Sequence, residues 1–319
     1  MTAPTAAPTI DPQGDAVFLI DTGLFRSRTT ASYLVRGSRT SAFIEVGAAT
    51  SAPRLLAALD VLGVSRDEVG YVIVTHVHLD HAGGAGTMMQ ELPAATLVVH
   101  PRGSRHLIDP TKLIAGATVV YGEEALRTLY GPIVPVAKER VVDAADGYAV
   151  DLGGRTLLCR DAPGHAKHHL VVYDDKARGV FAGDAFGLAY PEIQGARGAL
   201  FFPTTSPSQL DPEALHRSID MMLALRPAHI FLTHYGALSA DLDRWGATLH
   251  AYVDKHVELA TRVPAGPSAH AEIVLGLQAL LLEAALAQGV RAGREDILAA
   301  WAVDLELNAQ GLEAWREHR

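Results

Sequence analysis

A single cysteine, Cys159, stands in 319 residues, which excludes an intramolecular disulfide and a cysteine-built zinc knuckle. That scarcity fits a reducing compartment. Cys159 lies in a strand-like run and reads as an inert buried thiol. Basic residues are the minority. The 27 Lys and Arg against 36 Asp and Glu give a net charge of −9, and no Lys/Arg run is present. Long nucleic acids and anionic membrane surfaces are therefore poor partners. Long unbroken apolar runs are also lacking. The most apolar late stretch, Ile273 to Leu286, is interrupted by Gln278 and Glu283 and reads as too short to span a bilayer. The first residues, Met1 to Gln13, have neither the charge nor the apolar run of a signal peptide, and residues 1–15 read as a disordered tail. These absences predict a soluble cytoplasmic protein acting on a small molecule, with no membrane and no nucleic acid.

Apolar residues supply 49 % of the chain, enough for a sizeable core. Strand-like runs at 17–20, 32–35 and 42–46 precede a helix over 52–62, with Pro53 in its first turn and Gly63 after its end. Strands follow at 71–74 and 96–99. A short helix is predicted over 83–91, and helices broken at Pro110 and Gly116 over 101–130. The second half repeats the style, with strands at 141–142, 148–150, 155–160, 170–173 and 179–182. A loop covers 191–208, and a helix over 211–225 has Asp211 as its N-cap. A strand at 228–232 and a long helix over 239–260 complete this part. Two mixed sheets stacked face to face with helices outside, an αββα sandwich of the α/β class, accommodate this order. It occupies residues 16–262. Pro264 and Pro267 mark a linker, and 268–319 read as a helical extension. Its apolar Leu275, Leu280, Leu281, Trp301 and Trp315 would pack on the core or join two copies in a homodimer.

The chemistry concentrates at residues 76–81, His-Val-His-Leu-Asp-His. Imidazoles and carboxylates this dense repel and lose hydration unless a cation organises them. Neutral imidazole and carboxylate suit Zn, Fe or Mn. His76 and His78 are two apart and project to one side of an extended segment. Adjacent Asp80 and His81 cannot both join that pair, so two ions fit better than one. Further donors sit just beyond other strands: His165 after Pro163-Gly164, Asp184 after Gly183, and His234 after Thr233.

This ordered set resembles the metallo-β-lactamase-fold hydrolase superfamily over roughly residues 16–260. Asp21-Thr22-Gly23, Gly183-Asp184 and the stretch 203–212 look like a glyoxalase-II-like subgroup. The resemblance implies that His76, His78 and His165 bind one metal, that Asp80, His81 and His234 bind a second, and that Asp184 bridges them. A hydroxide between two divalent ions, zinc foremost with Fe or Mn as alternatives, would attack an ester, thioester or lactone carbonyl. Asp80 is the candidate catalytic carboxylate. The family's Asp-Thr-Gly turn before the first helix is replaced here by Phe43-Ile44-Glu45-Val46-Gly47. Glu45 would therefore support a ligand, while Asp21 reads as a turn residue. An acyl-glutathione substrate calls for basic groups that no recognisable segment supplies.

Other readings share these residues. A mononuclear Fe(II) persulfide-type dioxygenase would use His76, His165 and Asp184. A small phosphodiesterase uses the same fold. His168 and His169 read as structural. Tyr235 reads as packed at a strand end, with donation to a substrate oxygen as the alternative. Phe186, Tyr190, Phe201 and Phe202 divide evenly between pocket wall and core.

Overall fold

The computed structural model describes residues 7–205 and 209–318. Two compact units are built from interleaved segments. The first comprises 1–161, 168–183 and 228–237; the second comprises 162–167, 184–227 and 238–319.

The first unit carries two sheets. The seven-stranded one runs in chain order through β1 (Ile10–Gly14), β2 (Val17–Asp21), β3 (Ala31–Arg36), β4 (Ser41–Ile44), β5 (Val69–Ile73), β6 (Thr96–Val99) and β7 (Val141–Asp143). Where the sequence predicts a tail, residues 10–14 pair antiparallel with β2, Ile10 opposite Ile20. Ile10 packs on the core, so this short segment gains apolar burial as well as a ladder. Residues 1–6 lie outside the described residues.

Helix α1 (Ala52–Leu62) begins and ends where Pro53 and Gly63 predict, and Gly63 closes it at φ 63°. Leu55, Ala58 and Leu59 are its buried face. They join a core with Val72, Val74, Leu97 and Met88 of α3 (Ala85–Glu91), which follows the single turn α2 (Leu79–Ala82). Arg140 caps the chain after α3, donating to the carbonyls of Met89, Leu92 and Ala95. Between β6 and β7 lie α4 (Ser104–Ile108), α5 (Thr111–Tyr121) and the short α6 (Glu123–Ala125). The predicted break at Gly116 is absent: α5 runs through it and stops at Gly122, whose φ of 79° ends the helix.

The second sheet has the order β15-β14-β11-β10-β9-β8. Its strands are β8 (Ala149–Asp151), β9 (Thr156–Asp161), β10 (Leu170–Asp174), β11 (Gly179–Phe181), β14 (His229–Leu232) and β15 (Gly236–Leu238). Tyr33, Val35, Ile44 and Ile73 of the first sheet share one core with Leu157, Cys159, Val172, Phe181 and Phe231 of the second. That is the interior of a two-sheet sandwich. Cys159 is a buried thiol in it, pushed up to about 12 by desolvation.

The second unit holds a hairpin of β12 (Leu188–Gly195) and β13 (Gly198–Phe202), then α7 (Pro212–Ala224), α8 (Leu242–Arg262), α9 (Ala269–Ala287), α10 (Arg294–Ala300) and α11 (Ala302–Glu317). The loop predicted over 191–208 is thus largely this hairpin; Leu200 and Phe202 alternate into the core and gain from pairing. Residues 206–208 of that stretch lie outside the described residues. Asp211 caps α7 as predicted, accepting from Ala214 N at 2.9 Å.

Of the two expectations for the helical segment 268–319, the structure shows packing on a core. Ile273, Leu277, Leu281, Trp301 and Leu312 pack with Leu188, Phe202 and Leu259 in one core. An apolar helix face is stable only when covered, and the hairpin and α8 cover this one. At 19 residues, α9 is apolar and long enough to cross a membrane by length and composition, where the stretch 273–286 alone reads as too short. Its buried face is spent on this core. Phe186, Tyr190, Phe201 and Phe202 are all buried side chains, and Tyr190 and Phe202 belong to this core.

Candidate metal centre

Strands β4, β5 and β6 are parallel, with Ile44 opposite Ile73 and Ile73 opposite Val98. The segment 75–81 leaves β5 at its carboxyl end, where open α/β sheets place ligand sites. Strands β11 and β14 are parallel too, Phe181 opposite Phe231, so Gly183 and His234 leave the second sheet from one edge. Two backbone bonds tie the sheets there. Leu170 N donates to Thr75 O at 2.8 Å, and Ala31 N donates to Thr233 O at 2.7 Å.

Asp80, His81 and His234 each offer one ligand atom, and these atoms lie within 4.8 Å of one another. Asp80 Oδ2 is 3.2 Å from His234 Nε2 and 3.5 Å from His81 Nε2. The other nitrogen of each ring faces an oxygen. His234 Nδ1 donates to the Thr29 carbonyl at 2.8 Å. His81 Nδ1 lies 3.4 Å from Glu45 Oε1. A proton directed to the outer nitrogen leaves the lone pair of Nε2 for the site, the arrangement that orients metal-binding imidazoles. His81 is wholly buried, whereas Asp80 is 20 % exposed, so solvent reaches the cluster beside its carboxylate.

His76 and His78 stand beside it. His76 Nε2 is 2.9 Å from His78 Nδ1, and the His76 and His81 ring centroids are 4.0 Å apart. His76 Nδ1 contacts Thr75 Oγ1 at 3.0 Å, and that hydroxyl in turn donates to Glu45 Oε1. Glu45 therefore faces two ligand candidates from one carboxylate, as the sequence predicts for one. Its backbone sits at φ 61°, a conformation unfavourable for a non-glycine residue. Glu45 N donates to Ile73 O at 2.9 Å and its carbonyl accepts from Ser32 Oγ at 2.7 Å, which holds it there.

Asp21 is the turn residue predicted. It accepts from Gly23 N, Ser27 Oγ and Arg28 N, shaping the loop that delivers the Thr29 carbonyl to His234. Tyr235 is packed in the core between the sheets, and burial first and Asp21 second push its phenol up. His168 and His169, read as structural, are both buried and packed beside the cluster. His169 stacks on His76 at 4.9 Å, and His168 contacts the rings of both His76 and His78. Their sequence signal is their place three and four residues beyond His165, just before β10. A Cβ on Gly183 would lie 2.5 Å from Thr75 Oγ1 and 2.6 Å from His169 Nε2, so only glycine lets the chain pass these residues.

The second unit carries the remaining two candidates as a pair, His165 Nε2 being 3.4 Å from Asp184 Oδ2. The loop before His165 is pinned to the start of α7. Asp211 N donates to Gly164 O at 2.8 Å and Ser218 Oγ to Pro163 O at 2.6 Å. Gly164, at φ 135°, lies where a Cβ would meet Leu215 at 2.3 Å.

The donor set fits a divalent transition ion. Asp80, His81 and His234 are an oxygen and two imidazole nitrogens at ligand spacing, with the outer nitrogen of His234 bonded to the Thr29 carbonyl and that of His81 facing Glu45.

Comparison with known proteins follows the same line. The family profile described as Metallo-beta-lactamase superfamily matches residues 10–234. The metallo-beta-lactamase fold-containing protein ST1585 of Sulfurisphaera tokodaii is 26 % identical over 212 residues, 65 % of this chain and 73 % of its own. A hydroxyacylglutathione hydrolase of Rhodopseudomonas palustris is 28 % identical over 48 % of this chain and 46 % of its own. The acyl-coenzyme A thioesterase MBLAC2 of Gallus gallus is 27 % identical over 54 % of this chain and 64 % of its own. The match thus spans less than two thirds of the length of these last two. Among solved structures, the family protein TTHA1429 from Thermus thermophilus superposes with a TM-score of 0.65 at 20 % identity, covering 95 % of this chain and 94 % of that one. At that identity the likeness is one of fold.

Proposed function

From the premise that this chain belongs to the metallo-beta-lactamase superfamily, we propose that it is a metal-dependent hydrolase of a carboxylic ester, thioester or lactone. The observation that carries this reading is the convergence of Asp80, His81 and His234. The reading takes two divalent ions, zinc foremost. His76, His78 and His165 would hold one, Asp80, His81 and His234 the other, and Asp184 would contact both. When bound, such ions bring the pKa of a coordinated water to about 7 and polarise a carbonyl oxygen.

The chain's own groups supply the rest. Thr29, Thr75 and Glu45 fix the imidazole orientations, so ligand geometry is set before substrate arrives. Asp80, the partly exposed donor, has a second carboxylate oxygen with which to orient the attacking water and pass its proton to the leaving group. No serine or cysteine nucleophile is required. The thioesterase and hydrolase names of two relatives support carbonyl hydrolysis over phosphodiester cleavage.

Elemental analysis of protein purified without added metal tests the reading. About two Zn, Mn or Fe per chain, with ester or thioester hydrolysis abolished by a chelator and restored by metal, is the expected result. About one Fe per chain with oxygen consumption would replace it by the dioxygenase using His76, His165 and Asp184.

A further inference from the structure

Within the first unit the segment 76–81 adjoins an apolar cluster that the hydrolytic chemistry leaves unused. Leu79, between His78 and Asp80, packs with Leu24, Leu126 and Tyr130. The Tyr130 ring meets Tyr121 at 5.2 Å and Phe25 at 5.8 Å. Burial first, then the Asp80 charge, pushes the Tyr130 phenol up, so the residue stays neutral. The cluster continues through Leu126, Ile114 and Ile133 into an open surface cavity of about 460 Å³, which Thr118, Glu123, Arg127 and Pro132 also line. That volume is in the range of small-molecule sites.

The surroundings are unusually apolar for a surface. Helix α5 contains no fully buried residue, yet Lys112 is its only charged side chain. Val119 is 87 % exposed, Phe25 45 %, Val120 41 % and Leu129 38 %. Apolar groups gathered in water next to a polar centre mark a binding surface. Two charged side chains line the cavity: Arg127, which pairs with Glu124 at 2.8 Å, and the acidic Glu123. An anionic headgroup finds no complement there, whereas an alkyl chain needs no polar partner and gains by burial.

We propose that this cluster and cavity form a subsite for an aliphatic acyl chain of the substrate, with Leu79 and Tyr130 joining it to the Asp80, His81 and His234 centre. The proposal rests on the hydrolytic reading and names its substrate class. Leu126 both lines the cavity and shares the cluster of Leu79, and this adjacency to the donor segment selects the substrate's own chain as occupant rather than a second copy of the protein; Leu79 and Tyr130, themselves buried, form the wall between.

The test is a series of acyl p-nitrophenyl esters from two to twelve carbons on the metal-loaded full chain. The expected kcat/KM rises about fourfold per methylene until the cavity is filled. Ile114→Gln and Thr118→Trp, at half-exposed positions that fold readily, should lower it for the decanoyl ester at least about tenfold more than for the acetyl ester. A flat length series overturns the subsite and leaves the hydrolase standing. Should neither these esters nor the matching thioesters and lactones be cleaved at any length, the hydrolytic reading fails, and dansyl-undecanoic acid fluorescence judges the subsite alone. Saturable binding that both variants weaken supports it. No binding, or binding that neither variant changes, overturns it. A concentration-dependent dimer that Thr118→Trp abolishes, without probe binding, assigns the face to a second copy instead.

Discussion

His76 and His78 bring ring nitrogens to 2.9 Å, and His216 of α7 and His250 of α8 bring theirs to 2.5 Å. Both pairs have carboxylates close by, but they are built differently. His76 and His78 meet at 79°, and the outer nitrogen of His76 rests on a buried hydroxyl backed by Glu45. In the second pair the rings are within 15° of parallel with centroids 4.8 Å apart. That is nearly the largest separation such a nitrogen contact allows, so the rings meet edge to edge and their Nδ1 atoms point head-on. One shared proton satisfies that geometry. The outer Nε2 atoms sit on Asp254 and Asp220, both well exposed. Among the described residues no third donor converges on the gap. Histidine density therefore does not make a metal site. Buried acceptors do, by fixing which nitrogen carries hydrogen and leaving the other directed at further ligands.

Substitution at matched positions breaks or sharpens this contrast. The largest effect is expected from His81→Ala, which removes a wholly buried donor. It should lower hydrolysis by about a thousandfold or more and cost about one ion per chain in elemental analysis. His216→Ala should change neither quantity. If it did, the exposed pair would belong to the chemistry.

The next effect is on stability. His256 is buried, donates Nδ1–H to Tyr252 O at 2.6 Å, and packs on Phe202; desolvation takes it down to about 4. Its folded value lies below the unfolded one, so the neutral form is favoured by folding. Stability is full above about pH 6.5 and falls by ~3 kcal/mol as pH drops toward 4. Urea midpoints of the wild type and His256→Phe between pH 4.5 and 7.5 should show that slope flattened in the variant.

Glu45→Gln comes third, weakening metal binding by about 10- to 100-fold in chelator competition, because the carboxylate faces His81 and, through Thr75, His76. Asp254→Asn, the exposed counterpart beside His216, should leave it unchanged. The smallest effect concerns His270, which the Glu313 hydrogen bond chiefly, and Glu306, push up. Its contribution has the opposite sign to that of His256, present below the unfolded value and lost as pH rises through the raised one. Solvent screening keeps it small. A titration of thermal midpoint with His270→Gln reads it.

Much of this architecture was legible from local signals. Pro53 and Gly63 bound α1, and Asp211 with Pro212 starts α7, because caps act through the backbone of neighbouring residues. The His76 to His81 segment was legible because strand ends place short polar runs at sheet edges. The β12–β13 hairpin was not, since its Pro191 and Gly195 read as loop residues while the burial of Leu200 and Phe202 comes from distant helices. The same burial explains which of the two expectations for 268–319 holds: its apolar face is covered by Leu188 and Phe202 of the hairpin and Leu259 of α8.

The sequence by itself determined the donor types, their order, the strand-then-donor rhythm and the family, because these reside in residues close along the chain. Tertiary structure alone decided which nitrogen of each ring faces the site. That choice belongs to Thr29 and Glu45, brought from separate strands and loops by sheet pairing, with Glu45 reaching His76 through its neighbour Thr75. It also decided that His168 and His169 stand against His76 while His216 and His250 form a pair outside any three-donor cluster. Identical imidazoles acquire different roles because the oxygen that accepts the ring proton is supplied by packing, and its position is not encoded at the histidine itself.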